Sequence, residues 1–255
     1  MTVNELYEKL TERWPKSLSA PWDNDGIMVT PDGNAPVRRI LIALDGDAKA
    51  IDAAVKGGYD LLVTHHPAIF TGVKAVTPDS VNGRRILAAV RNGLSVISLH
   101  TRLDAGEGGV NDTLCRTLGF EPSGCFGDDE MPTIGRYADV EPMSGEVLAR
   151  LVKERLGAPA VRVTGDTAKT VRRIGFCGGD GKDLIPCAIR MGCDAYITGD
   201  AGYNMAEDAA EEGLFTVEAG HFHSENPVCR VLADTIQKIC NIDADCFDSC
   251  AYRVI

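Results

Sequence analysis

Short, wholly apolar runs alternate along this chain with amphipathic segments closed by glycine, and that alternation is what most constrains its fold. Residues 39–45 (RILIALD) read as a buried strand, 48–56 as a helix closed by Gly57 and Gly58, and 60–64 (DLLVT) as the next strand. A helix over 80–92 stopped by Gly93, a strand over 94–100 and a helix over 109–118 closed by Gly119 continue the cycle. Strands apolar on both faces need helices on both sides, so the pattern predicts an α/β fold with a parallel sheet. Ahead of this cycle, Val3, Leu6, Leu10 and Trp14 fall at helical spacing, and the stretch from Pro15 to Pro21 ends that opening helix.

Residues 121–142 are rich in glycine, proline and acidic side chains with weak periodicity, which places a domain junction there or just before. The same grammar then resumes: a helix over 144–156, strands over 159–164 and 171–177, and a helix over 182–191. A strand over 195–198, a helix over 203–212, a strand over 214–219 and a helix over 227–239 complete it. The expectation is two similar α/β lobes, residues 1–125 and 126–255, with mostly parallel central sheets flanked by helices.

With 255 residues, 44% of them hydrophobic, the chain can bury a substantial core. The net charge of −11, with no basic cluster beyond Arg84-Arg85 and Arg172-Arg173, argues against nucleic acid as a partner. No run approaches the roughly 18 apolar residues of a membrane span, and the opening MTVNELYEKLTERWPKS is charged and amphipathic rather than a secretory leader. A cytoplasmic protein without membrane contact is expected. Nine cysteines without a Cys-x-x-Cys pair read as packed thiols of a reducing compartment, and the spacing of Cys240, Cys246 and Cys250 matches no zinc pattern.

All five histidines fall in three short stretches, each at the expected carboxyl end of a strand, where ligands of parallel sheets gather. In DLLVTHHP (60–67) a strand runs into His65, His66 and a proline. Neighbouring residues of a strand point to opposite faces, so both rings reach one site only where the strand ends, and two such rings suit two metals better than one. In SLHTRLDAGEGGVND (98–112) a strand delivers His100 and Asp104 into a glycine-rich turn containing Glu107. In AGHFHSE (219–225), His221 and Glu225 face one point if the turn between them curls helically. Imidazole and carboxylate together suit zinc, iron, manganese, cobalt or nickel. A single histidine is more often a buried ring on a backbone carbonyl, and a carboxylate before a helix is more often a cap; the clustering of three stretches tips the reading toward metal. His100 and His223 read equally well as groups that hydrogen-bond a metal-binding side chain from behind, and His223 also as a solvated ring.

These stretches, with WDNDG (22–26), FCGG (176–179) and ITGD (197–200), resemble the dinuclear metal-centre family related to the Ngg-interacting factor, whose bacterial members are named GTP cyclohydrolase I type 2 homologues. The resemblance spans nearly the whole chain. It implies a pair of α/β lobes with the metal site between them, and a ring-shaped homohexamer. It also implies two divalent metal ions on His65, His66, Asp104, His221 and Glu225. The chain departs from the family where Gly202-Tyr203-Asn204 follows Asp200 in place of a Lys-Tyr-His element, at Asp180 in place of a small hydroxylic residue, and in its last ten residues.

The function expected on these grounds is hydrolysis of a small, nucleotide-like substrate at the metal pair, with His100 or Glu107 moving protons and Trp22, Asn24 and His223 in or behind the cavity. A phosphoesterase would use the same metals. A metal-binding regulatory ring without turnover is the alternative from another class.

Overall fold

The computed structural model describes residues 1–255. In chain order the elements begin with α1 (Val3–Arg13), β1 (Gly26–Val29), β2 (Ile40–Ala43), α2 (Ala48–Gly57), β3 (Leu61–Thr64), α3 (Val81–Arg91) and β4 (Ser95–Ser98). They continue with α4 (Thr101–Ala105), α5 (Val110–Thr117), β5 (Gly124–Phe126), β6 (Gly135–Ser144), α6 (Gly145–Arg155), β7 (Arg162–Thr164) and β8 (Thr170–Asp180). The last are α7 (Ile185–Arg190), β9 (Ala195–Asp200), α8 (Tyr203–Glu211), β10 (Phe215–Glu218), α9 (His221–Glu225), α10 (Pro227–Cys240) and β11 (Ala244–Phe247). No helix is long and apolar enough to cross a membrane.

The chain divides into two compact units: Met1–Leu103 with Cys229–Ser249, and Asp104–Val228 with Cys250–Ile255. In the first, a five-stranded sheet runs in the order β1-β4-β3-β2-β11. Its strands β11, β2, β3 and β4 are mutually parallel, and β1 lies antiparallel on β4 at the edge. Every residue of β2, β3 and β4 is buried, which is why these segments read as mainly apolar runs without alternation. Helix α2 starts where the Asp47 carboxylate accepts the Ala50 amide and stops at Gly58, whose φ of 67° is the left-handed conformation glycine adopts without strain. Its Ala50, Ile51 and Ala54 pack on Leu41, Ala43 and Leu62 of the sheet.

The second unit holds a six-stranded sheet in the order β5-β6-β8-β9-β10-β7. The central trio β8, β9 and β10 is parallel, while β6 on β8, β5 on β6 and β7 on β10 are antiparallel. On one face α5 and α6 set Leu114, Leu118, Leu148 and Val152 against Ile174, Phe176, Ile197 and Val217. The other face carries Cys177 and Tyr196 under Ile185, Ala188, Ala206 and Ala209 of α7 and α8. Alternate residues of β8 thus serve opposite faces, as strand geometry requires.

The units differ from two contiguous lobes of 1–125 and 126–255. Helix α5, expected with the first sheet, turns its apolar face to the second. Strand β11 returns to the first sheet, pairing Ala244–Phe247 with Ile40–Ala43. The expected junction at 121–142 is instead β5 and the start of β6, an antiparallel edge whose many exposed positions erase the apolar signal.

Arg102 and Asp25 form an ion pair with no side-chain exposure on either partner. Lys16 and Ser19 also reach the Asp25 carboxylate, and the guanidinium bonds the Tyr7 hydroxyl at 3.1 Å, so the pair joins α1, the entry to β1 and α4. Removing one partner strands a buried charge. Asp25→Ala is expected to cost about 3–5 kcal/mol in urea unfolding; a loss below about 1 kcal/mol would contradict a structural role for the pair.

Candidate metal centre

In the first unit β3 ends at Thr64 and His65 and His66 follow at once, their amides still donating to the Ala43 and Leu44 carbonyls at 3.3 Å and 2.8 Å, so both rings stand at the carboxyl end of the sheet. His100 leaves the adjacent strand β4 in the same way. The ring centroids lie 4.8 Å apart for His65 and His66, 5.4 Å for His65 and His100, and 5.8 Å for His66 and His100. One ligating nitrogen from each comes within 4.8 Å of the others, which fits these three rings for a metal ion.

What orients the rings is a set of acceptors on Nδ1. The His65 nitrogen meets the Leu99 carbonyl at 3.0 Å, that of His66 the Asp45 carboxylate at 2.8 Å, and that of His100 the Asp23 carboxylate at 2.8 Å. Carbonyl and carboxylate oxygens only accept, so Nδ1 carries the proton and the lone pair belongs to Nε2. Asp23 also accepts the Thr101 amide at 3.0 Å and the Thr101 hydroxyl at 2.5 Å. Burial raises its pKa, but the His100 bond and charge and the two Thr101 bonds outweigh that and hold it at about 2.

In the second unit, Asp104 and Glu225 are both buried, 9% and 5% exposed. Their carboxylate oxygens approach within 4.8 Å of each other. Glu225 also meets Nε2 of His221 at 3.2 Å, one helical turn away on α9. The His221 Nδ1 in turn bonds the Asp200 carboxylate at 2.9 Å. Two desolvated carboxylates at this distance repel each other unless positive charge or a shared proton stands with them, and an imidazole lone pair beside them completes a cation's donor set.

The backbone gives way to make room. A Cβ on Gly179 would stand 2.1 Å from Glu225 Oε1 and 3.1 Å from His221 Nε2, and its φ of +62° disfavours any other residue. Ser224 Oγ accepts the Gly179 amide at 3.0 Å, and Asn111 Oδ1 accepts the Gly178 amide at 2.7 Å, so the end of β8 is moored from both sides. The Asn111 amide reaches the Asp104 carbonyl at 3.3 Å, while Arg136 pairs with Asp112 and donates to the carbonyl of Ala105 at 2.9 Å. Cys177 is buried here: desolvation, then the charges of Asp104 and Glu225, push its thiol well up, so it stays protonated.

Asp104 and Glu225 lie within the short helices α4 and α9 rather than ahead of longer ones, so neither is a cap. Glu107 is exposed in the turn between α4 and α5. Trp22 and Asn24 are exposed in the first unit, Trp22 with its ring 6.3 Å from His100. His223 lines a cavity of about 340 Å³ with Asp200, Gly220 and Tyr252. A groove of about 720 Å³ along β7 and α8 contains none of the expected site residues.

Asp23, Asp45 and Asp200 are the site residues that inspection of the chain missed. A signal existed. Asp45 lies 21 residues before His66 and Asp200 lies 21 before His221. In each case the aspartate leaves one strand (β2, β9) and the histidine leaves the parallel neighbour (β3, β10) after one intervening helix.

Residues 1–250 match the family model described as Duf34/NIF3, NGG1p interacting factor 3. The chain belongs to that family. A Clostridium perfringens protein named "GTP cyclohydrolase 1 type 2 homolog" is 33% identical over 250 residues, 96% of this chain and 94% of that protein. A Clostridium acetobutylicum protein of the same name is 31% identical across 93% of this chain and 90% of its own length. Among solved structures, a hypothetical protein of Staphylococcus aureus superposes with a TM-score of 0.91 at 24% identity, covering 100% of this chain and 99% of that one. A protein of unknown function, ybgI, superposes with a TM-score of 0.88 at 26% identity over 98% of this chain and 99% of its own. This NIF3-family chain therefore combines the family's fold with His, Asp and Glu groups fit to hold metal.

Gly179→Ala is expected to displace Glu225 and lower bound metal per chain, read by elemental analysis of the purified variant; wild-type metal content would contradict the close packing seen here. Asp23 predicts a pH dependence. Because its folded pKa of about 2 lies below its ordinary 3.8, its stabilisation is complete above the unfolded value and fades as pH falls through about 2. The stability gap between wild type and Asp23→Asn should be about 2 kcal/mol from pH 5 to 7 and close below pH 4, in urea titrations. A gap independent of pH would contradict the assignment.

Proposed function

We propose that this chain holds two divalent cations with His65, His66, Asp104, His221 and Glu225, and is a metal-dependent hydrolase of a small, nucleotide-like substrate. The observation that carries it is the buried approach of the Asp104 and Glu225 carboxylates within 4.8 Å, a donor pair that could hold a metal ion. The relatives named GTP cyclohydrolase 1 type 2 homolog support the nucleotide-like substrate. Nitrogen and oxygen donors together suit zinc, iron, manganese, cobalt or nickel.

Two such cations, when bound, supply an acidified water and positive charge at the centre being attacked. The chain's residues do the rest. Asp45, Asp200 and the Leu99 carbonyl hold the ring protons of His66, His221 and His65 on Nδ1, so each ring meets a cation as a neutral donor through Nε2. His100, held on Asp23, can take up a proton at Nε2, and its Asp23 partner stabilises the resulting imidazolium. Glu107 is the second proton carrier in this reading, from its turn after Asp104. The same reading takes the protein as a cytoplasmic homohexamer without nucleic-acid or membrane partners, consistent with its net charge of −11.

The test is an assay of metal-loaded protein against GTP and a panel of phosphoesters. His65→Ala is expected to lose metal and to reduce product formation about 100-fold or more. Equal background rates in wild type and variant would overturn the enzyme reading and leave a metal-binding protein without turnover.

A further inference from the structure

Beside the histidine cluster of the first unit stand two large aromatic side chains that the core does not absorb. Trp22 is 58% exposed and Phe70 is 54% exposed, whereas the chain's other tryptophan, Trp14, is 1% exposed. Their centroids lie 6.3 Å apart at an interplanar angle of 69°, and they stand 6.3 Å and 6.0 Å from the His100 ring at 71° and 87°. None of these pairs is stacked in parallel. Leaving two such rings in water costs hydrophobic free energy that packing would have recovered, and aromatic rings kept exposed beside a polar cluster are suited to receive a ligand.

Their positions are built rather than incidental. Trp22 immediately precedes Asp23, which is tied to His100 and twice to Thr101, so the tryptophan is anchored at the carboxyl end of β4. Phe70 follows Ile69, whose carbonyl accepts the Asn24 side-chain amide at 2.5 Å. The segment after His66 is thereby latched to the segment carrying Trp22. With an Asn24 N–H used on that latch, its Oδ1 remains an acceptor.

We infer that Trp22 and Phe70 form a stacking subsite for the base of a purine nucleoside, with Asn24 Oδ1 as an acceptor for its N–H groups. Flat rings attract the π-face of a base, and an acceptor at their margin selects a heterocycle that carries N–H donors over a hydrocarbon ring. No phosphate is needed for this recognition, in keeping with the acidic balance of the chain. The inference deepens the hydrolase reading by naming the part of the substrate that is held and the residues that hold it, but base binding and metal-dependent turnover are separate events.

Isothermal titration of the full-length, metal-loaded protein with guanosine tests it, alongside Trp22→Ala, Phe70→Ala, Trp22→Phe and His65→Ala. Trp22→Ala is expected to weaken binding roughly 5- to 100-fold, the range set by loss of one base–aromatic stack, with Trp22→Phe restoring most of it. Metal content and melting temperature of the Trp22 and Phe70 variants should match wild type, since neither side chain is in the core. Guanosine should also quench the fluorescence of Trp22 in wild type. Absence of guanosine binding to wild type at millimolar concentration, or unchanged affinity in both alanine variants, overturns the subsite. His65→Ala separates the two proposals: lost turnover with retained guanosine binding supports both. Retained turnover with guanosine binding abolished only in Trp22→Ala sinks the metal mechanism and keeps the subsite.

Discussion

Two carboxylates buried within 4.8 Å of each other are the constraint around which the second unit is organised. The residues around them leave the two side chains room and fix the backbone that carries them. Gly179 has no side chain where one would strike Glu225, Ser224 and Asn111 moor the end of β8, and Arg136 clamps the turn that follows Asp104. Asparagine, arginine and a left-handed glycine thus hold in place a pair of carboxylates that could hold a metal ion.

The imidazoles answer to a second rule, the same in both units. A carboxylate at the end of one parallel strand grips Nδ1 of a histidine at the end of the next, with a separation of 21 residues in each case. The strand–helix–strand unit explains why: parallel neighbours bring their carboxyl ends side by side, and one intervening helix sets the length. His65 and His100 are held at the same nitrogen by other acceptors, the Leu99 carbonyl and the Asp23 carboxylate in the segment before β1. Four rings are therefore fixed in tautomer and direction before any ligand arrives, which lowers the entropic cost of binding one.

The elements most legible in the chain are those whose burial leaves an unbroken signature. Strands β2, β3 and β4 are buried at every residue, and α2 is bounded by Asp47 and Gly58. Strands β1, β5, β6 and β11 escape because they are short or lie at sheet edges with mixed burial, where apolar periodicity vanishes. The allegiance of α5 and β11 is a matter of tertiary packing, which local pattern does not carry. At the site, His65, His66 and His100 come together as their strand-end positions imply, and His221 meets Glu225 because 221–225 does curl helically. The aspartates behind the rings were illegible one at a time, since an aspartate after a strand is ordinarily a turn or cap residue. Only the pairing of adjacent strands turns the interval of 21 residues into a contact.

The pinned imidazoles and the buried carboxylates are groups that could hold a metal ion. The most direct test is crystallography of protein saturated with zinc or manganese, with anomalous data collected on either side of the metal's absorption edge. The account predicts two anomalous peaks per chain, about 3.5–4 Å apart, contacted by Nε2 of His65, His66 and His221 and by the carboxylates of Asp104 and Glu225. Peaks elsewhere, or none at these side chains in a fully loaded sample, would contradict it.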